Sequence, residues 1–156
     1  MIEIGSPAPD FSLLDSGRAV KSLSEFKGKN TVLAFFPAAF SGVCDKEMCA
    51  FQDSMAELND LNANIVGISV DGPFTNAAFV TRNNLNFPVL SDYKHEAISA
   101  YGVVLQDFAG MPGYTTAQRS VFILDADGVV RFKWIAESAG TEPDYAAVKE
   151  ELAKIG

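Results

Sequence analysis

Metal ligands are scarce in this chain: one histidine and two cysteines, Cys44 and Cys49, in 156 residues. With the lone His95 they are too few and too poorly spaced for a tetrahedral zinc centre, so neither metal nor bound cofactor is expected. His95, beside a predicted helix start, reads as a solvated side chain. The cysteines do not form a Cys-x-x-Cys pair, which argues against a thioredoxin-type disulfide exchanger. Positive charge is also short, at 12 Lys and Arg against 20 Asp and Glu, for a net charge of −8. The basic residues are scattered, which disfavours nucleic acid and anionic membranes as partners. No apolar run approaches membrane-spanning length. The N-terminal Met-Ile-Glu-Ile-Gly-Ser shows no basic segment followed by an apolar one, so no secretory leader is expected and a cytoplasmic location is. Repeats, low-complexity tracts and an interdomain linker are missing too.

Apolar content is 48%, with twelve Phe, which is ample for a core. A single domain over residues 1–156 is expected at this length. In a reducing compartment, two cysteines five positions apart read as reactive or free thiols rather than as a structural staple.

Short extended pieces from Phe11 to Leu14 precede alternating units. Thr31–Phe36 is a β-branched and aromatic run of strand length, stopped by Pro37. A helix is predicted from Ser41 to Leu61, a strand over Ile65–Val70, and a helix from Pro73 to Asn84, where proline suits the first turn. A short strand at Phe87–Leu90 and a helix near His95–Tyr101 follow, and Gly102–Gln118 reads as a long irregular loop. Ser120–Leu124 and Val129–Ile135 flank Asp125-Ala126-Asp127-Gly128, a hairpin signal. A closing helix starts near Pro143, with Tyr145, Val148, Leu152 and Ile155 at 3–4 spacing. Two β–α units, a hairpin and a helix predict an α/β chain with a mixed central sheet flanked by helices. That order matches a thioredoxin-like fold with an N-terminal extension.

Cys44 falls where strand gives way to helix. A cysteine in a first helical turn faces unpaired N–H groups and the positive end of the macrodipole, both of which favour thiolate. A free thiol of pKa about 8.5 is only a few per cent ionised at neutral pH. Bringing one to about 6 takes roughly 3.4 kcal/mol, while a helix terminus supplies about 0.3–1, and up to about 2 when partly buried. A cation or further hydrogen bonds must help. Cys44, Met48, Phe51, Met55 and Leu58 share one helical stripe that should pack on the sheet, with Cys44 at the floor of a partly apolar pocket. Cys49 lies about 140° around the helix and about 7.5 Å along it, so the Cα atoms are more than about 8 Å apart. A disulfide needs roughly 4.4–6.8 Å, so pairing requires the first turns to unwind. The plain alternative is that both cysteines are small buried hydrophobes.

Phe35-Phe36-Pro37-Ala38-Ala39-Phe40-Ser41-Gly42-Val43-Cys44 closely resembles the active-site motif of the peroxiredoxins, Pro-x-x-x-Thr/Ser-x-x-Cys. Ala8-Pro9-Asp10-Phe11, Ser91-Asp92, Tyr101-Gly102-Val103 and Arg119–Asp125 look like further family landmarks in family order. Within the family the motif is most similar to the AhpE-like and bacterioferritin-comigratory (Q-type) branches. The resemblance implies a thiol-dependent peroxidase acting on hydrogen peroxide and organic hydroperoxides, with Cys44 as the peroxidatic cysteine. It also implies that Ser41 orients peroxide or thiolate where threonine is commoner, that Pro37 shields the pocket, and that Arg119 contacts the sulfur. An arginine fork there would supply the missing cation and stabilise charge on the departing oxygen. Glu47, one turn after Cys44, either holds Arg119 in place or is an ordinary solvated helix charge. Cys49 stands at the Q-type resolving position, implying a sulfenic acid at Cys44 that condenses with it. AhpE-like one-cysteine members commonly lack that residue, so an external thiol is the alternative. Phe108, Met111, Pro112 and Tyr114 border the pocket and admit a hydrophobic hydroperoxide, contribute to a subunit contact, or pack as an ordinary loop.

The implied partners are a peroxide and a thioredoxin-like or glutaredoxin-like reductant or small thiol, with the chain a monomer or homodimer. The negative charge mildly disfavours anionic substrates. Two other classes remain at this stage: a redox-sensing or interaction protein without sustained turnover, and a thioredoxin-fold structural module with an idle cysteine.

Overall fold

The structure, a computed structural model, describes residues 2–155 except for the side chains of residues 55, 56 and 59. Its strands are β1 (Ser12–Leu14), β2 (Val20–Ser22), β3 (Asn30–Phe35), β4 (Ala63–Ser69), β5 (Val89–Ser91), β6 (Val104–Leu105), β7 (Thr116–Ala117), β8 (Ser120–Leu124) and β9 (Val130–Ile135). Its α-helices are α1 (Gly42–Asp53), α2 (Met55–Asp60), α3 (Pro73–Asn83), α4 (Glu96–Ala100) and α5 (Tyr145–Ile155). A seven-stranded mixed sheet runs in the order β2-β1-β5-β4-β3-β8-β9. The β3–β4 and β4–β5 pairs are parallel, and the others antiparallel. The thioredoxin-like α/β expectation holds.

All six residues of β3 are buried because the sheet is covered on both faces. Val32 and Ala34 join Cys44, Met48, Phe51, Phe79, Val148 and Leu152 in the core under α1, α3 and α5. Leu33 and Phe35 point the other way, among Phe11, Leu13, Ile98, Tyr101 and Phe122. Leu58 completes the predicted stripe of α1 and α2; Met55, expected on it, has its side chain outside the described residues.

Several boundaries differ from the sequence reading. The predicted 41–61 helix breaks at Ser54, whose φ/ψ of −88°/−1° caps α1. Asp53 and Ser54 favour local side-chain bonding over helix continuation. β5 starts at Val89 rather than Phe87, because Pro88 has no N–H for the ladder; its carbonyl still accepts the Gly67 N–H at 2.9 Å. The 102–118 loop carries the β6–β7 ribbon, whose two-residue strands leave no periodic signal. Val20–Ser22, unassigned in the sequence reading, pairs with β1 and extends the sheet edge. The 125–128 turn is a hairpin as expected: Gly128 takes φ +81°, and Asp125 Oδ1 accepts the Asp127 and Val129 N–H groups. His95 is half-buried at the start of α4. No helix among the described residues is long and apolar enough to cross a membrane.

Candidate active site

The site is built where β3 ends. Phe36 N–H makes a last bond to the Ile68 carbonyl at 3.0 Å, and Pro37 then terminates the ladder. Pro37 and Ala38 are buried, and the chain turns through Phe40 at φ +67°. That left-handed conformation is strained for an aromatic residue and needs support. Phe79 of α3 provides it, meeting Phe40 edge-on at 5.5 Å while stacking on Phe36 at 5.5 Å.

Ser41 is the N-cap of α1, yet its side chain caps no helix N–H. The hydroxyl instead lies 2.8 Å from the Ala38 carbonyl and 3.0 Å from Cys44 Sγ. Cys44, the third residue of α1, is fully buried. Its own N–H bonds the Ser41 carbonyl at 2.7 Å. The turn therefore closes on itself, and the helix start presents its sulfur beside a hydroxyl.

The cation arrives from the strand next to β3. Arg119 precedes β8 and is 2% exposed, so it is not a surface arginine at a strand end. Its Nε and Nη2 donate to the Ala139 carbonyl at 3.1 and 2.9 Å. Nη2 also donates to Cys44 Sγ at 3.1 Å, and Nη1 to Glu47 Oε1 at 3.0 Å. Glu47 is completely buried, which removes the alternative of a solvated helix charge. Four directed bonds thus fix the guanidinium plane against the sulfur.

Glu47 Oε2 is buried without a partner. Burial pushes this carboxyl up to about 8; Arg119 opposes the rise by its charge and hydrogen bond, and Glu142 adds to it. Burial works against the charge on Arg119, but Glu47 and Cys44 outweigh it and the shift is upward. Arg119 thus faces two groups able to carry negative charge, Glu47 and Cys44. A single buried cation neutralises one anion, and a second beside it carries the full desolvation penalty. Burial, which raises the Glu47 carboxyl, therefore favours directing the positive charge of Arg119 at Cys44.

Cys49 is half-buried on the same unbroken helix and faces α3, its Sγ 3.4 Å from Asn83 Oδ1. Both thiols are free. Burial, with Asp53 and Asp45 nearby, pushes the Cys49 thiol up. In the 102–118 loop, the Tyr114 phenol is pushed up, first by burial. Phe108 meets Tyr114 edge-on at 5.7 Å.

Three contributors escaped the sequence reading. The Ala139 carbonyl carries no side-chain signal at all. Tyr145 appeared only as a core position, yet it donates to Glu142 at 2.8 Å and packs edge-on against Phe51 at 5.3 Å. Asp71, which falls between the predicted strand and helix, accepts the Ala39 N–H at 2.8 Å, inside the active-site turn. Among the described residues no group of three or more His, Cys, Asp or Glu side chains is placed to hold a metal ion.

A family model described as AhpC/TSA matches residues 4–133. Alkyl hydroperoxide reductase E of Mycobacterium tuberculosis is 37% identical over 135 residues, covering 85% of this chain and 84% of its own. Chloroplastic peroxiredoxin Q of Populus jackii is 38% identical over 127 residues, covering 81% of this chain and 57% of its own. The solved structure of peroxidoxin BcpB from Mycobacterium tuberculosis matches with a TM-score of 0.83 at 29% identity, over 99% of this chain and 97% of that one. The matched span runs from β1 through Cys44 to Arg119 and the β8–β9 hairpin, and on this agreement of sequence and fold the chain belongs to the AhpC/TSA family of peroxiredoxins and is a thiol-dependent peroxidase.

Proposed function

We propose that Cys44 is the peroxidatic cysteine and that it attacks hydrogen peroxide or an organic hydroperoxide. The observation that carries this is the buried Sγ, held between Ser41 Oγ at 3.0 Å and Arg119 Nη2 at 3.1 Å. The ionised sulfur attacks the nearer peroxide oxygen in line. An S–O bond forms, the O–O bond breaks, and the departing hydroxide or alkoxide takes up a proton. Arg119 and the Ser41 hydroxyl face the charge as it moves, which is the arrangement that stabilises such a transition state. Glu47 holds the guanidinium, and buried Pro37 keeps bulk water off the sulfur. The products are a Cys44 sulfenic acid and water or an alcohol.

Cys49 then resolves the sulfenic acid: its sulfur displaces water and a Cys44–Cys49 disulfide forms. Because α1 holds both residues in one helix, this step requires its first turns to unwind. A thioredoxin-like or glutaredoxin-like dithiol, or a small thiol, returns both cysteines to the reduced state. A one-cysteine cycle is favoured by a different observation: Cys49 faces α3, and its thiol is shifted toward the unreactive protonated form. The working unit is a monomer or a homodimer.

Peroxide consumption with a recycling dithiol, run on wild type, Cys44→Ser and Cys49→Ser, tests the scheme. Cys44→Ser should abolish turnover; sustained activity in that variant sinks the assignment. An intramolecular disulfide in the oxidised wild type, seen by mass spectrometry and absent from Cys49→Ser, supports resolution by Cys49. A sulfenic acid that persists until external thiol is added supports the one-cysteine cycle. Oxidation of Cys44 without repeated turnover would instead indicate a redox sensor.

A further inference from the structure

Asp71 lies just beyond the end of β4, and Ala39 lies beyond the end of its parallel neighbour β3. The two strands pair in parallel up to Phe35 and Ile68, so the segments that follow leave the sheet at the same end. Asp71 Oδ2 accepts the Ala39 N–H at 2.8 Å. The other end of that same peptide unit is the Ala38 carbonyl, which the Ser41 hydroxyl meets at 2.8 Å. The hydroxyl lies 3.0 Å from Cys44 Sγ. Carboxylate, peptide, hydroxyl and sulfur form a continuous relay from outside α1 to the reacting atom.

The carboxylate itself is locked. Ser69 Oγ donates to Asp71 Oδ2 at 2.9 Å and accepts the Asp71 N–H at 3.2 Å. Asn76 Nδ2 of α3 donates to Ser69 Oγ at 3.1 Å and to Ser91 Oγ at 3.0 Å, and all three of these side chains are buried. A hydrogen-bonded polar cluster at the strand ends therefore fixes one peptide of the active-site turn. Because the peptide is planar, holding its N–H fixes the direction of its C=O. A charged acceptor on the N–H also polarises the carbonyl, making it a stronger acceptor for the hydroxyl. The Ser41 hydroxyl has one proton and two acceptors, the Ala38 carbonyl and the sulfur. Asp71 bears on how that proton and the oxygen lone pairs are shared.

We propose that Asp71 is a positioning residue of the peroxidase site, acting through the 38–39 peptide to set the Ser41 hydroxyl on Cys44. This rests on the proposed role of Cys44, and it adds a residue from a different strand–helix unit to the site.

The experiment is a double-mutant cycle read on the second-order rate of Cys44 oxidation by hydrogen peroxide in a single turnover. Asp71→Ala should lower that rate about tenfold, less than the roughly 100-fold that a full ångström of misplacement can cause. Asp71→Asn retains a neutral acceptor and should recover most of the rate. In a Ser41→Ala background, Asp71→Ala should change the rate by less than about twofold, because the hydroxyl through which it acts is gone. A merely structural carboxylate would lower the rate equally in both backgrounds, and that additive outcome overturns the proposal. So does an unchanged rate in Asp71→Ala. If Asp71→Ala loses its native circular dichroism, Ser69→Ala takes its place in the same cycle, with an expected fall of about threefold. A wild type that reacts no faster than a free thiol would refute the peroxidatic role of Cys44. A fast wild type with an additive cycle would refute only the role of Asp71.

Discussion

Glu47 Oε1 lies 3.0 Å from Arg119 Nη1, and both side chains are shut away from solvent, 2% exposed at most. The pair stands one helical turn from Cys44, so two groups able to carry negative charge share a single cation. Burying such a pair this deeply adds little stability by itself. Its consequence is geometric: the guanidinium cannot rotate away from the sulfur without abandoning Glu47 and the Ala139 carbonyl.

Replacing Arg119 should therefore remove catalysis more than it removes fold. Arg119→Ala is expected to slow oxidation of Cys44 by peroxide about 10²–10³-fold, the range seen when a transition-state donor is deleted. Arg119→Lys should recover little of this, since a point ammonium cannot serve Glu47, Ala139 and the sulfur together. Stopped-flow rates on the three proteins check it, and a lysine variant at wild-type rate contradicts the fork.

Glu47 makes stability depend on pH. Burial raises its folded pKa from an ordinary 4.5 to about 8, so the folded state keeps a proton that the unfolded state has lost. The stabilisation is fully present below about pH 4.5 and declines as pH rises to about 8, by at most about 1.4 kcal/mol per pH unit. Glu47→Gln, which carries no titrating proton, should flatten that decline. Urea midpoints of wild type and variant between pH 5 and pH 8, compared as a difference at each pH (roughly the window set by linkage), give the answer. Parallel curves would mean that Glu47 titrates like an ordinary carboxylate.

The Cys49 thiol is raised by burial and by Asp53 and Asp45, so at neutral pH it is mostly protonated. Formation of a Cys44–Cys49 disulfide should accelerate as pH climbs and the thiolate fraction grows. In Asp45→Asn/Asp53→Asn, with those charges removed, the acceleration should begin at lower pH. Rapid acid quench and mass spectrometry follow the disulfide directly. A resolution rate independent of pH would place unwinding of α1, rather than thiol ionisation, in control.

Ser41 separates hydroxyl chemistry from shape. Ser41→Thr keeps the oxygen that reaches Cys44 and should stay within about threefold of the wild-type peroxide rate, whereas Ser41→Ala should fall about tenfold or more. Circular dichroism should be unchanged in both. Equal rates for the two variants would show that the 3.0 Å contact with Sγ does not assist the reaction.

Much of this architecture is local enough to read from the chain. The β3 run, Pro37, and the Ser41–Cys44 spacing lie within a dozen consecutive residues, where strand, stop and helix start follow from side-chain shape and backbone chemistry. Arg119 was located by resemblance alone, because nothing in a strand-end arginine reveals that 75 positions away a sulfur waits for it. Glu47 reads two ways for the same reason: one turn from Cys44 on a helix is equally a solvent face or a buried one until the fold buries it against Arg119.

Sequence alone determined the alternation of elements, the strand that becomes β3 and the placing of a thiol in the first turn of a helix, because each follows from interactions between near neighbours. Tertiary structure decided which charges and carbonyls meet that thiol. Asp71, Arg119 and Ala139 come from three separate segments whose convergence depends on strand order and sheet closure. Those long-range pairings form only when both faces of the sheet are covered, and it is their burial that turns ordinary polar groups into a charged and rigid site.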